Sequence, residues 1–207
     1  MRGGKMIILS DYEIFTECYS TLQEASLDRT ADGTEIFMTD CATQVVNFDQ
    51  VKEKYIVPLK LSETPASNDA LFENGKGNII FVEFKNGYID KKTQFRLRKK
   101  IYDSMLIFTD IVSAGIRDMR EVAEYILVYN EIVNADNNQI QKRRDYVQPS
   151  DSFVSIAKRL GGLAKNEYVS FGLKMFENYC FKKVHTYTEK EFEQYLTEIF
   201  SKKLPQS

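Results

Sequence analysis

The stretch SNDALFENGKGNIIFVEFKNG, Ser67–Gly87, decides the fold because it contains two strand-like segments joined by a turn. The segment DALFE precedes the glycine-containing sequence NGKG, and the apolar run NIIFVEFKN follows it. Short apolar runs on either side of a glycine turn are typical of a β-hairpin. A three-residue loop at 75–77 predicts that Leu71 faces Phe81 across an antiparallel pair of strands.

The same register pairs two acidic residues at the end of the hairpin. It sets Asp69 opposite Glu83 and, because side chains alternate along a strand, it puts Lys85 on the same face as Glu83. Like charges that face each other destabilise a sheet, and burying one of them adds to the cost. A cation between the two carboxylates reverses this effect, and Mg²⁺ prefers oxygen ligands of this kind.

Two alternatives remain open for this acid pair. Lys85 could neutralise part of its charge without a metal, as a structural salt bridge does. A turn of two or four residues would shift the register by one and move Asp69 to the opposite face of the sheet, where no shared metal site forms. The prediction of a metal site therefore depends on the length of the turn.

The segments on either side of the hairpin predict helices and a further strand. Ser10 and Glu13 match the pattern of a capping box, which predicts a helix over 11–26. A long helix is predicted from about Lys92 to Ala114, and the apolar segment EYILVYNEI predicts a central strand after it. The apolar face of the long helix is expected to contain Phe95, Ile101, Met105, Phe108 and Val112.

The order of these elements predicts an α/β fold with a mixed central sheet flanked by helices. The length of 207 residues suits one domain. We expect a single domain over 1–207, with a core at about 10–131 and a C-terminal mixed α/β elaboration at 150–201.

The remaining segments carry weaker signals. YIVPLKL is predicted to end in an extended piece, because the residue before Pro58 avoids the helical conformation. The polar stretch 133–152 predicts a long loop. Helices are predicted over DSFVSIAKRLGGLAKNE, SFGLKMFENYC and EKEFEQYLTEIFSKK, and a strand over FKKVHTYT.

The composition excludes several classes of protein. Hydrophobic residues make up 43% of the chain and charged residues 28%, which argues against a disordered or fibrous chain. No stretch of about 18 consecutive apolar residues predicts a membrane-spanning helix. The opening MRGGKMIILSDYE lacks the apolar length and the cleavage site of a secretory signal. We expect a cytoplasmic protein that does not bind membranes.

The cysteines and the histidine point away from other chemistries. Cys18, Cys41 and Cys180 are odd in number and far apart, which argues against a disulfide framework and a structural zinc site. His185 is the single histidine, so a Ser-His-Asp or Cys-His mechanism would rest on that residue alone. Its strand-like surroundings favour a structural role.

Basic residues are clustered although the formal net charge is −2. KKTQFRLRKK, Lys91–Lys100, has six cations in ten residues, and QKRR, Gln141–Arg144, has three in four. A solvated helix face and a solvated loop would account for both clusters. A nucleic acid bound beside the acid pair would account for them as well.

These residues together resemble a known family. Asp69, then Glu83-Phe84-Lys85 at the end of an apolar strand, then a long helix with cations near its start, resembles the core of the PD-(D/E)XK phosphodiesterase superfamily. The resemblance extends from Glu13 to about Glu131. It implies a restriction-endonuclease-like core and a metal-dependent nuclease that acts on nucleic acid, DNA in the first place.

The resemblance also implies roles for single residues. Asp69, Glu83 and Lys85 are the implied catalytic residues. The two carboxylates and the carbonyl of Phe84 would bind Mg²⁺ or Mn²⁺, and Lys85 would position or activate the attacking water. Glu17, on the predicted first helix, is an additional candidate ligand, since some members contribute an acid from that helix. A homodimer is compatible with the resemblance.

Residues of the long helix are the implied nucleic-acid contacts, through phosphates rather than bases. They are Gln94, Arg96, Arg98, Lys99 and Lys100. The chain departs from the family pattern at two points. No proline precedes Asp69, and Arg98 stands where the exonuclease-type motif has a tyrosine.

Two other interpretations stay open at this point. The chain could be a non-catalytic module that keeps the nuclease fold and binds nucleic acid or protein. It could also be an unrelated α/β domain whose activity, if any, the sequence does not show. The simplest alternative for Glu83 and Lys85 is an ordinary ion pair.

Overall fold

The computed structural model describes residues 6–29, 33–147 and 168–200. The strands are β1 Tyr19–Thr21, β2 Leu27–Arg29, β3 Glu35–Phe37, β4 Gln44–Asn47, β5 Ala70–Glu73, β6 Ile79–Lys85, β7 Ala123–Tyr129 and β8 Lys183–Thr188. The α-helices are α1 Glu13–Thr16, α2 Leu22–Ala25, α3 Phe48–Ile56, α4 Lys91–Ile111, α5 Ile116–Val122, α6 Asn138–Val147 and α7 Glu189–Phe200.

A six-stranded mixed sheet forms the centre of the fold, in the order β1-β4-β5-β6-β7-β8. Strands β1, β4, β5 and β6 pair antiparallel, whereas β6, β7 and β8 run parallel. Strands β2 and β3 form a separate antiparallel pair. The predicted α/β class, with a mixed sheet flanked by helices, is therefore confirmed, and EYILVYNEI supplies an interior strand as predicted.

The hairpin has the predicted register. Leu71 pairs with Phe81 and Glu73 with Ile79. The turn is closed by the Asn74 N–H, which donates to the Asn78 carbonyl at 3.0 Å. Gly77 adopts a φ of 76°, a conformation that glycine reaches without steric cost. The short turn fixes the register and therefore the face on which each side chain lies.

The two faces of β6 contribute to two separate cores. Ile79 and Phe81 belong to the cluster that includes the α4 residues Ile101 and Phe108. Ile80, Val82 and Phe84 belong to the cluster that includes the α7 residues Phe192 and Leu196. Because both faces of β6 are covered, its sequence is a continuous run of apolar residues rather than an alternation of apolar and polar residues.

Helix α4 forms where it was predicted, but one residue of its predicted buried face is exposed. It begins after Asp90, whose carboxylate accepts the Thr93 N–H at 2.7 Å as an N-cap. Phe95 is 70% exposed, so its predicted place on the apolar face is wrong. Leu97 takes the first buried position instead, and Ile101 and Phe108 lie on the same face as predicted.

The predicted helix over 11–26 is wrong. The chain forms a 3₁₀ turn at Leu9–Asp11, the single-turn helix α1, and strand β1. Tyr19 pairs with Val46, so edge pairing in the sheet overrides the helical pattern. The capping box lies at Thr21 and Glu24, at the start of α2, and not at the predicted position.

Three weaker predictions also fail. YIVPLKL is not extended, because a 3₁₀ turn at Val57–Leu59 follows α3. Pro58 lies near the start of this turn, where the missing N–H of proline costs little stability. The predicted loop at 133–152 contains helix α6. SFGLKMFENYC forms only a 3₁₀ turn at Leu173–Phe176, after Phe171 and Gly172 with positive φ.

Two of the C-terminal predictions are confirmed. FKKVHTYT contains β8, and EKEFEQYLTEIF forms α7. The helix predicted over 151–167 lies outside the described residues. The three cysteines are free, as predicted. Among the described residues, no helix is long and apolar enough to cross a membrane.

Candidate functional site

Asp69 and Glu83 meet at the end of the hairpin. The Asp69 N–H donates to the Val82 carbonyl at 3.1 Å, which continues the β5–β6 ladder by one residue. The Asp69 carboxylate then accepts the Phe84 N–H through Oδ2 at 2.6 Å. The side chain of Asp69 is 16% exposed and that of Glu83 is 2% exposed. The register inferred from the turn therefore brings the two acids together.

Three backbone contacts hold the segment before β5 in place. The Ala66 N–H donates to Asp103 Oδ2 at 2.7 Å, and the Asn68 N–H donates to Ser104 Oγ at 2.8 Å, both on α4. The Phe48 N–H, at the start of α3, donates to the Asp69 carbonyl at 3.0 Å. Asp69 is thus positioned by two helices as well as by the sheet.

A lysine from α4 lies between the two acids. Lys100 Nζ donates to Glu83 Oε1 at 2.7 Å and to Asp69 Oδ1 at 3.1 Å. Lys100 follows the buried Leu97 by three residues and precedes the buried Ser104 by four, so helical periodicity directs it toward the sheet. It was predicted as a phosphate contact, but the structure makes it the cation of the acid pair.

Lys85 does not contact the acid pair. It lies on the strand face of Glu83 by alternation, and its side chain lies beside Gly87, where an added Cβ would be 3.7 Å from Nζ. Within the described parts of the chain, Lys85 makes no ion pair. The alternative of an ordinary Glu83–Lys85 ion pair is therefore wrong, and the catalytic role of Lys85 stays a prediction.

Phe84 reaches the site through its backbone alone. Its ring lies on the opposite side of the sheet and packs against Phe192, with 5.6 Å between ring centroids. Its N–H binds Asp69, as described above. This orientation is compatible with the predicted use of its carbonyl rather than its side chain.

Burial raises the pKa values of both acids, and the two acids differ in the other causes. Burial raises the pKa of Glu83 well above its ordinary value, the charge of Asp69 raises it further, and Lys100 opposes both effects. Burial also raises the pKa of Asp69, against the lowering effects of Lys100 and the Phe84 N–H. The carboxylates are thus insufficiently compensated by the groups around them.

Lys100 shows the complementary effect. Burial alone would lower its pKa, but the charges and hydrogen bonds of Glu83 and Asp69 raise it above its ordinary value. The ammonium is therefore charged at neutral pH.

One oxygen of the pair has no partner. Glu83 Oε2 is buried and accepts no hydrogen bond from any described residue. The Tyr125 hydroxyl is also buried and without a partner in the described structure. Burial raises the pKa of Tyr125, and the charges of Glu83 and Asp69 raise it further, so the phenol lies near the acids. An orphan carboxylate oxygen in such surroundings is an open position for a cation or a donor.

A third acid near the site was not anticipated. Asp49, in the first turn of α3, accepts the Ser67 hydroxyl, and its charge raises the pKa values of both Asp69 and Glu83. Its side chain is 54% exposed. No spacing in the sequence signals this approach, because residues 57–69 separate α3 from β5 and only the packing of α3 brings Asp49 close.

Glu17 is held elsewhere by an ion pair. Its Oε2 accepts from Lys54 Nζ at 2.7 Å, and both side chains are about half exposed. In the ranges that the structure describes, no group of three or more His, Cys, Asp and Glu side chains is arranged to hold a metal ion. The site therefore offers two close carboxylates, with Asp49 near them.

The other predicted nucleic-acid contacts on α4 have different surroundings. Lys99 pairs with Asp103 at 2.5 Å. Arg98 lies against the backbone of Gly172. Gln94 is half-buried, and Arg96 is exposed. Of these residues, Arg96 is the cation best placed to meet a ligand in solution.

Two of the basic segments lie on neighbouring elements. The Ile89 N–H donates to Asn134 Oδ1 at 2.9 Å, and Asn137 Nδ2 donates to the Ile89 carbonyl at 3.0 Å. These bonds join the start of α4 to the segment that leads into α6. Lys142 on α6 is exposed, as are Lys91 and Lys92 on α4. Cations from both segments are therefore available at the surface.

We expect Gly172→Ala to lower the free energy of unfolding by about 1–2 kcal/mol, the cost of a left-handed conformation with a side chain. Gly172 has a φ of +66°, and an added Cβ would lie 2.8 Å from Arg98 Nη2. Urea denaturation measures the difference. Gly75→Ala is the matched control, since a Cβ there meets nothing within 4 Å. Equal stability of both variants would contradict the left-handed conformation of Gly172.

Comparison of the chain with protein-family models, with curated proteins and with solved structures finds no match.

Proposed function

We propose that the chain is a metal-dependent nuclease that hydrolyses phosphodiester bonds in nucleic acid, with DNA as its first expected substrate. One observation carries the proposal. Two carboxylates, the largely buried Asp69 and the buried Glu83, lie side by side where β5 and β6 meet, and one oxygen of Glu83 has no partner. Such a pair is unfavourable unless a cation compensates it.

The donor set fits a divalent cation of the Mg²⁺ or Mn²⁺ type. Hard cations take carboxylate and carbonyl oxygens, which Asp69, Glu83 and the Phe84 carbonyl would supply. When bound, such an ion supplies Lewis acidity at the phosphate and lowers the pKa of a bound water. The Phe84 N–H holds Asp69 Oδ2, which keeps the other oxygen, Oδ1, directed toward Glu83 and Lys100.

The surrounding cations suit a phosphodiester substrate. Lys85 lies on the strand face of Glu83 and is the candidate for holding the attacking water, the role that the PD-(D/E)XK resemblance implies. Arg96 and the exposed lysines of α4 and α6 would contact neighbouring phosphates. The basic segments would thus hold the strand on which Asp69 and Glu83 act.

A plasmid-nicking assay with Mg²⁺, Mn²⁺ and EDTA tests the proposal. We expect nicked or linear DNA with either metal and intact plasmid with EDTA. Parallel reactions with single-stranded DNA and with RNA separate the substrate classes. No cleavage of any of these substrates with either metal would overturn the proposal.

A second candidate function is a non-catalytic nucleic-acid-binding module. Lys100 favours it, because an ammonium already lies between the acids and no third carboxylate completes a metal group in the described ranges. This candidate predicts salt-dependent binding of nucleic acid without metal-dependent cleavage.

Both candidates predict that Arg96→Glu weakens nucleic-acid binding. The exposed guanidinium would contact a phosphate, so its reversal should reduce the slope of log affinity against log salt by about one or more. Fluorescence anisotropy with a labelled duplex at several salt concentrations measures the slope. Lys190→Glu is the matched control, since Lys190 is an exposed cation on α7, across the sheet from α4. Equal slopes for the two variants would exclude Arg96 from the binding surface.

A further inference from the structure

Lys100 takes the position between the acids that a divalent cation would use. Its ammonium contacts one oxygen of Glu83 at 2.7 Å and one oxygen of Asp69 at 3.1 Å. An ion shared by the two carboxylates would need those same oxygens or their immediate neighbours. The lysine and the metal therefore compete for one place.

The three contacts of the pair leave the site only partly satisfied. Asp69 Oδ2 accepts a hydrogen bond from the Phe84 N–H. Lys100 Nζ donates to Asp69 Oδ1 and to Glu83 Oε1. Glu83 Oε2 remains without a donor. A single ammonium leaves the two carboxylates with a net negative charge, whereas a divalent ion would neutralise them. Lys100 and a divalent ion together would leave an excess of positive charge.

Lys100 has a route out of the site. Its side chain is 29% exposed, whereas that of Glu83 is 2% exposed, so the lysine lies on the solvent side of the pair. A lysine has a flexible stem, and its ammonium can turn toward solvent while the helix stays in place. Helix α4 itself is held by buried residues on both sides of Lys100, including Leu97 and Ser104.

We propose that Lys100 is a built-in competitor of the divalent cation, which holds the carboxylates together in the metal-free protein and turns toward solvent when the ion binds. The inference rests on the proposed metal site of Asp69 and Glu83. Once released, the ammonium lies on the side from which a phosphodiester would approach, and it stabilises the phosphate there. Metal loading and substrate contact are thereby linked through one side chain.

Mn²⁺ binding, followed by electron paramagnetic resonance of the free ion, tests the inference without any cleavage assay. We expect Lys100→Met to bind Mn²⁺ about tenfold more tightly than the unaltered protein, because a charged hydrogen-bond donor no longer competes. Lys100→Arg keeps the cation and should stay within about threefold of the unaltered protein. Lys100→Gln replaces the methionine variant if that variant fails to fold.

Lys174→Met is the matched control. Lys174 also pairs with a largely buried carboxylate, that of Glu177 at 2.6 Å, but belongs to a different part of the chain. Its variant should bind Mn²⁺ like the unaltered protein. If Lys100 had only a structural role, its removal would leave the Mn²⁺ affinity unchanged or lower it. Tighter binding therefore distinguishes a competitor of the ion from a purely structural lysine.

The outcomes distinguish the inference from the function beneath it. Tighter binding in Lys100→Met, or binding in that variant alone, supports the competition. Equal or weaker binding in both Lys100→Met and Lys100→Gln, with clear binding by the unaltered protein, overturns the competition and leaves the metal site intact. No binding by any of the proteins overturns the metal site and the inference with it.

Discussion

Replacing Glu83 with glutamine is expected to abolish metal-dependent cleavage, with a fall in rate of at least about a thousandfold, as for other groups that act in the transition state. The substitution keeps the size of the side chain and removes the charge that the proposed ion requires. Glu83 is the more deeply buried of the two acids and carries the oxygen without a partner. Single-turnover cleavage of a plasmid with Mg²⁺ measures the effect.

Asp69→Asn should have a similar effect, because the two carboxylates act on one ion. Glu124→Gln is the matched control, since Glu124 is a largely buried carboxylate on the neighbouring strand β7, held by Asn78 Nδ2 at 2.7 Å on the other face of the sheet. That variant should cleave at the unaltered rate. Full activity in both Glu83→Gln and Asp69→Asn would sink the assignment of the site.

Lys100→Met is expected to lower the free energy of unfolding by about 3 kcal/mol in the absence of metal, the typical cost of removing one partner of a buried ion pair. The loss depends on pH. Burial and Asp69 raise the pKa of Glu83 well above its ordinary value of 4.5, and Lys100 opposes that rise. Without the lysine, the pKa of Glu83 in the native state rises further. Over a wider range of pH, Glu83 is then protonated in the native state and ionised in the unfolded state.

The sign follows from proton linkage. Where the native state binds more protons than the unfolded state, stability falls as the pH rises. The deficit of Lys100→Met should therefore be small below pH 4.5 and grow as the pH rises through the raised pKa of Glu83. Urea denaturation at pH 4 and at pH 8 measures the difference.

The double variant Glu83→Gln/Lys100→Met is the control for this prediction. It removes the buried charge together with its partner, so it should recover most of the lost stability at neutral pH. A single Lys100→Met variant that is as stable at pH 8 as the unaltered protein would show that the ammonium does not compensate the pair.

The hairpin and its acid pair could be predicted because a turn of known length fixes the register. Once residues 75–77 form the turn, simple counting sets Leu71 against Phe81 and Asp69 beside Glu83. Burial of these strands follows from the apolar run itself. Local sequence was sufficient here because the two strands are close in the chain.

The cation of the site could not be predicted in the same way. Helical spacing does place Lys100 beside the buried Leu97 and Ser104, but the apolar pattern that included Phe95 pointed to a slightly different face. Which of the two faces is buried depends on how α4 packs on the sheet, and the sequence of the helix does not specify this packing. Lys85, two residues after Glu83 in the sequence, was the nearer candidate, and its ammonium lies beside Gly87 instead.

The segments before the hairpin were mispredicted for a related reason. Residues 19–21 join the edge of the sheet by pairing with β4, a strand that is distant in sequence and in which Val46 faces Tyr19. This tertiary pairing overrides a helical pattern. Asp49 reaches the site only because α3 begins where the Asp69 carbonyl accepts the Phe48 N–H. Neither contact leaves a periodic signal in the chain.

A crystal soaked in Mn²⁺ tests the metal site of Asp69 and Glu83 through the anomalous difference map. We expect a peak within about 2 Å of carboxylate oxygens of both Asp69 and Glu83, with the Lys100 ammonium moved away from between them. A map without such a peak, in which Lys100 still bridges the two carboxylates at saturating Mn²⁺, would contradict the metal site.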